Sequence, residues 1–246
     1  MRRLSTSLLC AAALLVGAVA CSDDDDSSSS EESSTTTSTT TAPPDEPTDM
    51  MSVDPDDELA LGAYFIDPDD DAATPLTVTY DIADEGWGPW MGAVKRTDGE
   101  HVNMNITTVT NVVTDGCLDH SPADPTVGPT VDDLATALSA LSPFEATSPP
   151  TDVTILGYEG KHLVVTVPDG PFTECEEEQQ LHSWIAPFLG GSYHGYNGPE
   201  PGLTEEFWIL DVDGTRLVLE FNTSPDAPAD AVAERQAIFD SIQIEA

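Results

Sequence analysis

The stretch FWILDVDGTRLVLEF, Phe207–Phe221, predicts a β-hairpin. Aromatic and branched apolar residues, which favour strands, lie on both sides of the dipeptide Asp213-Gly214. An Asp-Gly pair suits a two-residue type I′ turn because that turn needs positive φ at both central positions. Apolar side chains are consecutive from Phe207 to Leu210 and so fall on both faces of the first strand. We therefore expect this strand to be covered on both sides.

Calcium binding is the alternative for this stretch, because Asp211 and Asp213 alternate before a glycine. An EF-hand loop places oxygen ligands at positions 1, 3 and 5, glycine at 6 and glutamate at 12. Here Gly214 comes two positions too early, and Thr215 stands where the third ligand is needed. We therefore predict no EF-hand and expect Asp211 to pair with Arg216 across the turn.

Other patterns for metal binding or catalysis are weak. The acidic run Asp67–Asp71 lacks the EF-hand glycine, since Ala72 takes that place. Glu178 and His182 stand four residues apart, which would place two zinc ligands on one helical face, but an exposed pair on an acidic helix is the alternative we prefer. The chain has no G-x-S-x-G motif. We predict no catalytic residues, no metal site and no cofactor.

Hydrophobic periodicity predicts the remaining elements. The segment LTVTYDI alternates apolar and polar residues and predicts a strand, whereas TVDDLATALSAL has a cap at Thr130 and an apolar helical face. We predict an α+β fold, in which an antiparallel sheet of hairpin-connected strands is covered by two or three helices. The predicted helices lie at residues 130–141, within the proline-led segment 224–246 and, as an option, from Thr173 within 172–189. Residues 51–75 are expected to be loose and partly ordered, and residues 190–202 to form a loop.

The first twenty residues resemble a bacterial lipoprotein signal peptide. Arg2 and Arg3 precede an apolar stretch, Leu8–Val16, that is too short to span a bilayer as a permanent helix. Small residues then lead to Cys21, at the place where lipoproteins carry the lipidated cysteine. The resemblance implies a signal peptide over residues 1–20, a lipid such as palmitate on Cys21, and anchoring at the extracytoplasmic face of the cell membrane. A plain secretory signal is the alternative.

Residues 21–51 are predicted to form a disordered, acidic, Ser/Thr-rich tether. The segment has no aromatic residue and few apolar ones, so it cannot bury enough surface to offset its chain entropy. Residues 52–246 are long enough to bury a substantial core. We predict that they fold as one extracytoplasmic domain.

The chain is strongly acidic, with a formal net charge of −39 at pH 7. This charge repels nucleic acids and anionic headgroups, so we predict no nucleic-acid partner and a membrane attachment that depends on the lipid. Abundant acids with only two lysines are typical of proteins from saline habitats. The alternative is a functional surface that attracts cations or a basic partner.

Two cysteines are expected in the folded domain. Besides Cys10 in the signal peptide and the lipobox cysteine, Cys117 and Cys175 remain. An exported domain with two cysteines favours a disulfide between them. A bridge over this interval would contribute roughly 4 kcal/mol through loop entropy. The alternative is a cysteine nucleophile activated by His120 or His182.

The C-terminal segment EEFWILDVDGTRLVLEFNTSPDAPADAVAERQAIFDSIQIE, residues 205–245, resembles the closing part of a group of actinobacterial lipoproteins and membrane-anchored extracellular domains. In that group a hairpin W-x-L-D-V-D-G-x-R, here Trp208–Arg216, precedes a helix that ends in D-S-I, here Asp240–Ile242. The hairpins and final helix also resemble PsbP-like α/β/α sandwiches at the level of the fold. The resemblance implies location and fold, but no catalytic residue set.

The segment SWIAPFLGGSYHGYNGPEPG, residues 183–202, is the strongest candidate for a recognition loop. Trp184, Tyr193, His194 and Tyr196 cluster there among glycines, and Tyr and Trp give a large contact area at little entropic cost. The alternative is that Trp184 lies in the core and the tyrosines cover it. The sequence thus predicts a non-catalytic module that binds an unknown envelope protein or ligand, with a cell-envelope hydrolase or a passive surface lipoprotein as alternatives.

Overall fold

A computed structural model describes residues 46–71, 73–175, 180–188 and 191–246, without the side chains of Phe188, Tyr196 and Asn197. The signal peptide, Cys21 and most of the predicted tether therefore lie outside the described residues. The fold is mostly β, with 47% strand and 13% helix, and it contains several sheets but only two short helices in the described part. The predicted α+β fold, with two or three helices covering one sheet, is wrong.

Sixteen strands and two α-helices are defined in the described residues. The strands are β1 (Thr48–Asp49), β2 (Gly62–Ile66), β3 (Thr77–Ile82), β4 (Trp87–Pro89), β5 (Gly92–Thr97), β6 (Glu100–Thr108), β7 (Asn111–Asp115), β8 (Asp119–Pro122), β9 (Glu145–Ala146), β10 (Thr151–Ile155), β11 (Tyr158–Thr166), β12 (Leu181–Phe188), β13 (Gly191–Asn197), β14 (Thr204–Val212), β15 (Thr215–Thr223) and β16 (Gln243–Glu245). The helices are α1 (Val131–Ser139) and α2 (Ala229–Asp240), and a short 3-10 helix spans Met50–Ser52.

These strands form three sheets. The central sheet has eight strands in the order β10-β11-β14-β15-β6-β5-β4, with β9 added against β11. A second sheet has the order β1-β2-β3-β16, and a third has the order β13-β12-β7-β8. The pairing of β1 with β2 is parallel, and the other pairings are antiparallel.

The central sheet separates two hydrophobic cores. Along β14, Phe207 and Ile209 pack into a core that also takes in residues of α1, β7 and β12. Leu210 and Val212 pack into the other core, with residues of α2, β2 and β3. The expectation that this strand is covered on both sides is therefore confirmed. Strands of the other two sheets supply much of the packing against the central sheet. The α+β prediction is wrong because it assigned this packing to helices.

The hairpin predicted from Asp213-Gly214 is present with its type I′ geometry. Asp213 has a φ of 51° and Gly214 a φ of 91°, and the Gly214 N–H donates to Asp211 Oδ1 at 2.8 Å. Asp211 stands opposite Arg216 in the register. The predicted ion pair between them is not found among the described residues, because the Arg216 guanidinium donates instead to the carbonyl of Gly128 at 2.5 Å and to other backbone oxygens.

Helix α1 follows its sequence prediction closely. The Asp133 N–H donates to Thr130 Oγ1 and the Thr130 N–H donates to Asp133 Oδ2, both at 3.1 Å, so the cap is reciprocal. Helix α2 begins after Pro228, within the segment predicted to be a proline-led helix. The predicted loose segment 51–75 contains β2, the predicted loop 190–202 contains β13, and β12 occupies the end of the optional third helix, residues 181–188.

Candidate functional site

The predicted recognition residues lie on the hairpin of β12 and β13. Trp184 is 0% exposed and belongs to the core that contains α1. Gly195 faces its indole so closely that an added Cβ would lie 2.2 Å from a ring carbon. The core alternative therefore describes Trp184 better than the recognition alternative. His194 is half-buried beside it, and the side chain of Tyr196 lies outside the described residues.

Tyr193 lies at the surface, where it helps to form an apolar pocket of about 320 Å³. Its ring meets that of Trp90 edge to face, with 6.3 Å between the centroids. Met50, Met51 and Met91 also line the pocket, together with a valine and two prolines. Trp90 is 37% exposed and Met51 is 39% exposed, so both present apolar surface to a ligand. We call this cavity the Trp90 pocket.

Local structure fixes two walls of the Trp90 pocket. Asp49 caps the 3-10 helix by accepting a hydrogen bond from the Met51 N–H at 2.9 Å. Within this helix the side chain of Met50 is buried and that of Met51 is exposed. On the other wall, Gly92 follows Met91 and approaches β6 so closely that an added Cβ would lie 2.2 Å from the carbonyl oxygen of Met104. A larger residue at this position would displace the segment that carries Trp90.

The residues that line the Trp90 pocket are suited to binding an apolar ligand. Its lining residues offer thioethers, aromatic rings, prolines and a valine, and the phenol of Tyr193 is the one titratable group among them. Such a surface removes an apolar ligand from water, and methionine side chains adapt to its shape. The pocket therefore suits capture of an apolar molecule. Among the described residues that line it, no pair of groups would act as acid and base or as nucleophile and base.

The sequence does not single out the Trp90 pocket, and the segment GWGPWMG does not show by itself which of its two tryptophans is buried. The structure separates them: Trp87 is 0% exposed, whereas Trp90 is 37% exposed. The pocket joins residues near positions 50, 90 and 193, which are brought together only by the three-dimensional arrangement of the strands. One indication in the sequence is the pair Met50 and Met51, two apolar residues at the end of an otherwise polar segment.

Three histidines cluster away from this pocket. His120 and His182 stack with their ring centroids 3.8 Å apart, and His194 meets His182 edge to face at 5.7 Å. Burial, followed by the neighbouring imidazoles, lowers the pKa of His182 to about 4, so it is neutral at pH 7. Glu178, its suggested zinc-binding partner, lies outside the described residues. Within the described ranges no three metal-binding side chains come together as a site.

One serine lies beside a histidine and a carboxylate, but in the wrong order for hydrolysis. Ser224 Oγ is 3.0 Å from His101 Nδ1 and donates to Glu200 Oε2 at 3.0 Å. A hydrolytic triad needs the histidine between the serine and the carboxylate. Here the serine lies between the other two and is 1% exposed. The arrangement ties β6 to the loop before β14 and offers no accessible nucleophile.

The predicted disulfide is confirmed. Cys117 and Cys175 are bonded, with 4.4 Å between their Cα atoms. Both thiols are therefore consumed, and the alternative of a cysteine nucleophile does not apply to this state. Among the described residues, no helix is long and apolar enough to cross a membrane.

No protein-family model, curated protein or solved structure matches the chain. The resemblance of the C-terminal segment to actinobacterial lipoproteins, and the fold likeness to PsbP-like sandwiches, stay predictions.

Proposed function

We propose that the protein is a lipid-anchored, non-catalytic binding module of the cell envelope, and that its ligand-binding site is the Trp90 pocket. The observation that carries this proposal is the open apolar cavity with exposed Trp90 and Met51 on its walls. Most other large apolar side chains of the described fold are buried, and an exposed cavity of this kind in a highly charged protein marks a ligand site.

The lipoprotein signal supports the proposed location. Cleavage before Cys21 and its lipidation would leave the acidic tether between the membrane and the folded domain. Residues at the end of the predicted tether already belong to the fold, because β1 pairs with β2 and Met50 is 1% exposed. The Trp90 pocket is thus built partly from the last residues of the predicted tether, Met50 and Met51. A ligand near the membrane surface is within reach of such an arrangement.

The binding proposal predicts that Trp90→Ala loses at least about ten-fold in affinity for an uncharged apolar fluorophore, because the substitution removes the largest exposed wall of the pocket. Binding of N-phenyl-1-naphthylamine, followed by its fluorescence, measures this affinity. Leu118→Ala is the matched control, since Leu118 is 58% exposed and does not line the pocket. Equal binding by Trp90→Ala and the unchanged protein, or no binding by either, would show that the pocket is not the site. The latter outcome would favour a passive surface protein.

The anchoring proposal predicts a lipid-modified N-terminus. Intact-mass spectrometry of the protein from host membranes is expected to show loss of residues 1–20 and an added lipid mass on Cys21. Cys21→Ser should abolish both the added mass and the membrane association. A cleaved, lipid-free chain in the soluble fraction would instead support a plain secretory signal.

A further inference from the structure

Strand β10 forms one edge of the central sheet, and its outer side is open. Within the described ranges β10 pairs with β11, and no strand pairs with its other side. The opposite edge of the sheet is protected, because β4 ends in Pro89 and its Trp87 carbonyl accepts a hydrogen bond from the Leu59 N–H at 2.7 Å. Strand β10 contains no proline, and β-branched residues, which favour strand pairing, make up most of it.

Two residues of β10 direct their backbone groups away from β11. The turn between the two strands is Leu156-Gly157, with φ angles of 52° and 89°, so the flanking Ile155 and Tyr158 exchange both of their hydrogen bonds. Bonded pairs alternate along antiparallel strands, which leaves the N–H and C=O groups of Asp152 and Thr154 pointing outward. These groups have no hydrogen-bond partner in the part of the chain that the structure describes. Unpaired groups of this kind are a template for a further strand.

The side chains of β10 divide between two different faces. Val153 and Ile155 are half-buried on one face, and Ile155 packs against the core that contains α2. Asp152 and Thr154 are exposed on the other face. They line a surface cavity of about 400 Å³ together with Glu159, which stands opposite Thr154 on β11. An added strand would therefore place apolar side chains beside Val153 and polar side chains at the cavity.

The charge beside this cavity is negative. The ammonium of Lys161 lies 2.6 Å from a carboxylate oxygen of Asp132 and 2.6 Å from one of Asp152, so two acids share one base. The carboxylates of Asp132 and Asp152 are 71% and 90% exposed, and Glu159 adds a third exposed acid. Basic side chains of a ligand complement this charge. A second copy of the chain, with its net charge of −39, would be repelled.

We propose that β10 binds an extended, basic segment of another protein as an added strand. The backbone of that segment pairs with the outward groups of Asp152 and Thr154. Its apolar residues lie beside Val153, and its alternate lysines or arginines reach Asp152 and Glu159. The inference goes beyond the proposed function, because the residues of this edge do not line the Trp90 pocket.

Three labelled peptides test the inference. The first is the amidated heptapeptide TVKVKVT with a rhodamine label, whose binding to the purified protein is followed by fluorescence anisotropy at low ionic strength. The second has glutamate in place of both lysines, and the third carries a methyl group on the backbone nitrogen of each lysine. The first peptide is expected to bind at least about ten-fold more tightly than either of the others, because they lack the charge or the N–H donors that the edge requires.

Variants of the protein separate the backbone contribution from the charge. Thr154→Pro removes an N–H that points away from β11, so the fold keeps its ladder while peptide affinity should fall at least about ten-fold. Asp152→Asn/Glu159→Gln should lower the affinity about three-fold or more. The matched control is Asp169→Asn/Asp226→Asn, which makes the same change in net charge at exposed positions outside the cavity and should keep the affinity.

Several results would overturn the inference. They are no binding of TVKVKVT, equal binding of its methylated form, or equal binding by a Thr154→Pro variant that melts like the unchanged protein. If this variant melts early, the methylated peptide decides, since it needs no change in the protein. Sedimentation that shows a dimer abolished by Thr154→Pro would identify a second copy as the occupant instead. The peptide should not displace N-phenyl-1-naphthylamine, so failure at this edge leaves the proposed Trp90 site intact.

Discussion

Replacement of Cys117 and Cys175 together by serine is expected to lower the free energy of unfolding by about 4 kcal/mol. The bond joins positions that are 58 residues apart in sequence. Without the bond, the unfolded chain regains the entropy of a loop of that length, which the chain-entropy model places near 4 kcal/mol at 25 °C. Urea unfolding of the oxidised protein and the double variant measures the difference.

The position of the bond in the fold supports a loss of stability as large as the chain-entropy value. Cys117 follows β7, and Cys175 precedes β12, at a corner where several backbones meet. The Gly116 N–H donates to the Ser142 carbonyl at 2.6 Å, and the His182 N–H donates to the Gly116 carbonyl at 2.8 Å. An added Cβ at Gly116 would lie 2.7 Å from the carbonyl oxygen of His182. Native contacts thus already hold the backbone beside Cys117 in place without the bond.

Reduction of the unchanged protein provides the matched control for this prediction. Reduced protein and the double serine variant should unfold at the same urea concentration, since both lack the same covalent link. A difference of less than about 1 kcal/mol between oxidised protein and variant would contradict the chain-entropy argument. It would indicate that the unfolded chain keeps this corner compact without the bond.

Local features of the fold could be predicted from the sequence because their causes are local. Asp213-Gly214 forms its turn through the φ angles of two residues, and Thr130 caps its helix through contacts three residues away. The strand β3 also follows its alternation, with Val78 and Tyr80 both buried. These predictions needed no knowledge of distant segments.

The architecture and the binding site depend on contacts between distant segments, which sequence patterns do not show. A strand covered on both faces has no solvent side, so polar residues in it do not mark the surface. Glu205 and Glu220 would be placed outside by simple alternation, yet they are 0% and 1% exposed. The glycine-rich segment 190–202 predicts a loop from its sequence alone. Gly195 is instead needed where β13 crosses the indole of Trp184.

Glu220→Gln is expected to remove about 3 kcal/mol of pH dependence from the stability of the protein. Glu220 lies on β15 in the central sheet, where the Asn105 amide donates to its Oε2 at 2.8 Å. Burial raises the pKa of Glu220 to about 7, although the hydrogen bond from Asn105 opposes the shift. The group is therefore protonated in the folded protein at pH values where the unfolded chain has already released its proton.

The direction of the effect follows from this difference in bound protons. An unfolded glutamate titrates near pH 4.5, and the folded one titrates near 7. Between these values the folded state holds more protons, so the free energy of unfolding falls as the pH rises. Below pH 4.5 the contribution of Glu220 is fully present, and above about pH 7 it is lost. Glutamine keeps an acceptor for Asn105 and a donor in place of the carboxyl proton, but it does not titrate.

The contribution of His182 to stability changes with pH in the opposite direction to that of Glu220. The test must therefore compare the variant with the unchanged protein at each pH. Its pKa falls from 6.5 to about 4 on folding, chiefly through burial, and stability therefore rises with pH between those values. This contribution is common to the unchanged protein and to Glu220→Gln, so it cancels in their difference. Urea unfolding at pH 4.5 and pH 7.5 should show the stability of the unchanged protein falling by about 3 kcal/mol relative to the variant.

Glu159→Gln serves as the matched control, because Glu159 is an exposed carboxylate of the same sheet, on β11. It removes the same charge without removing a buried proton, so its stability should follow that of the unchanged protein at both pH values. A Glu220→Gln curve that also runs parallel to the unchanged protein would show that Glu220 titrates at its ordinary pKa in the fold. That result would require water or another donor to reach this buried carboxylate.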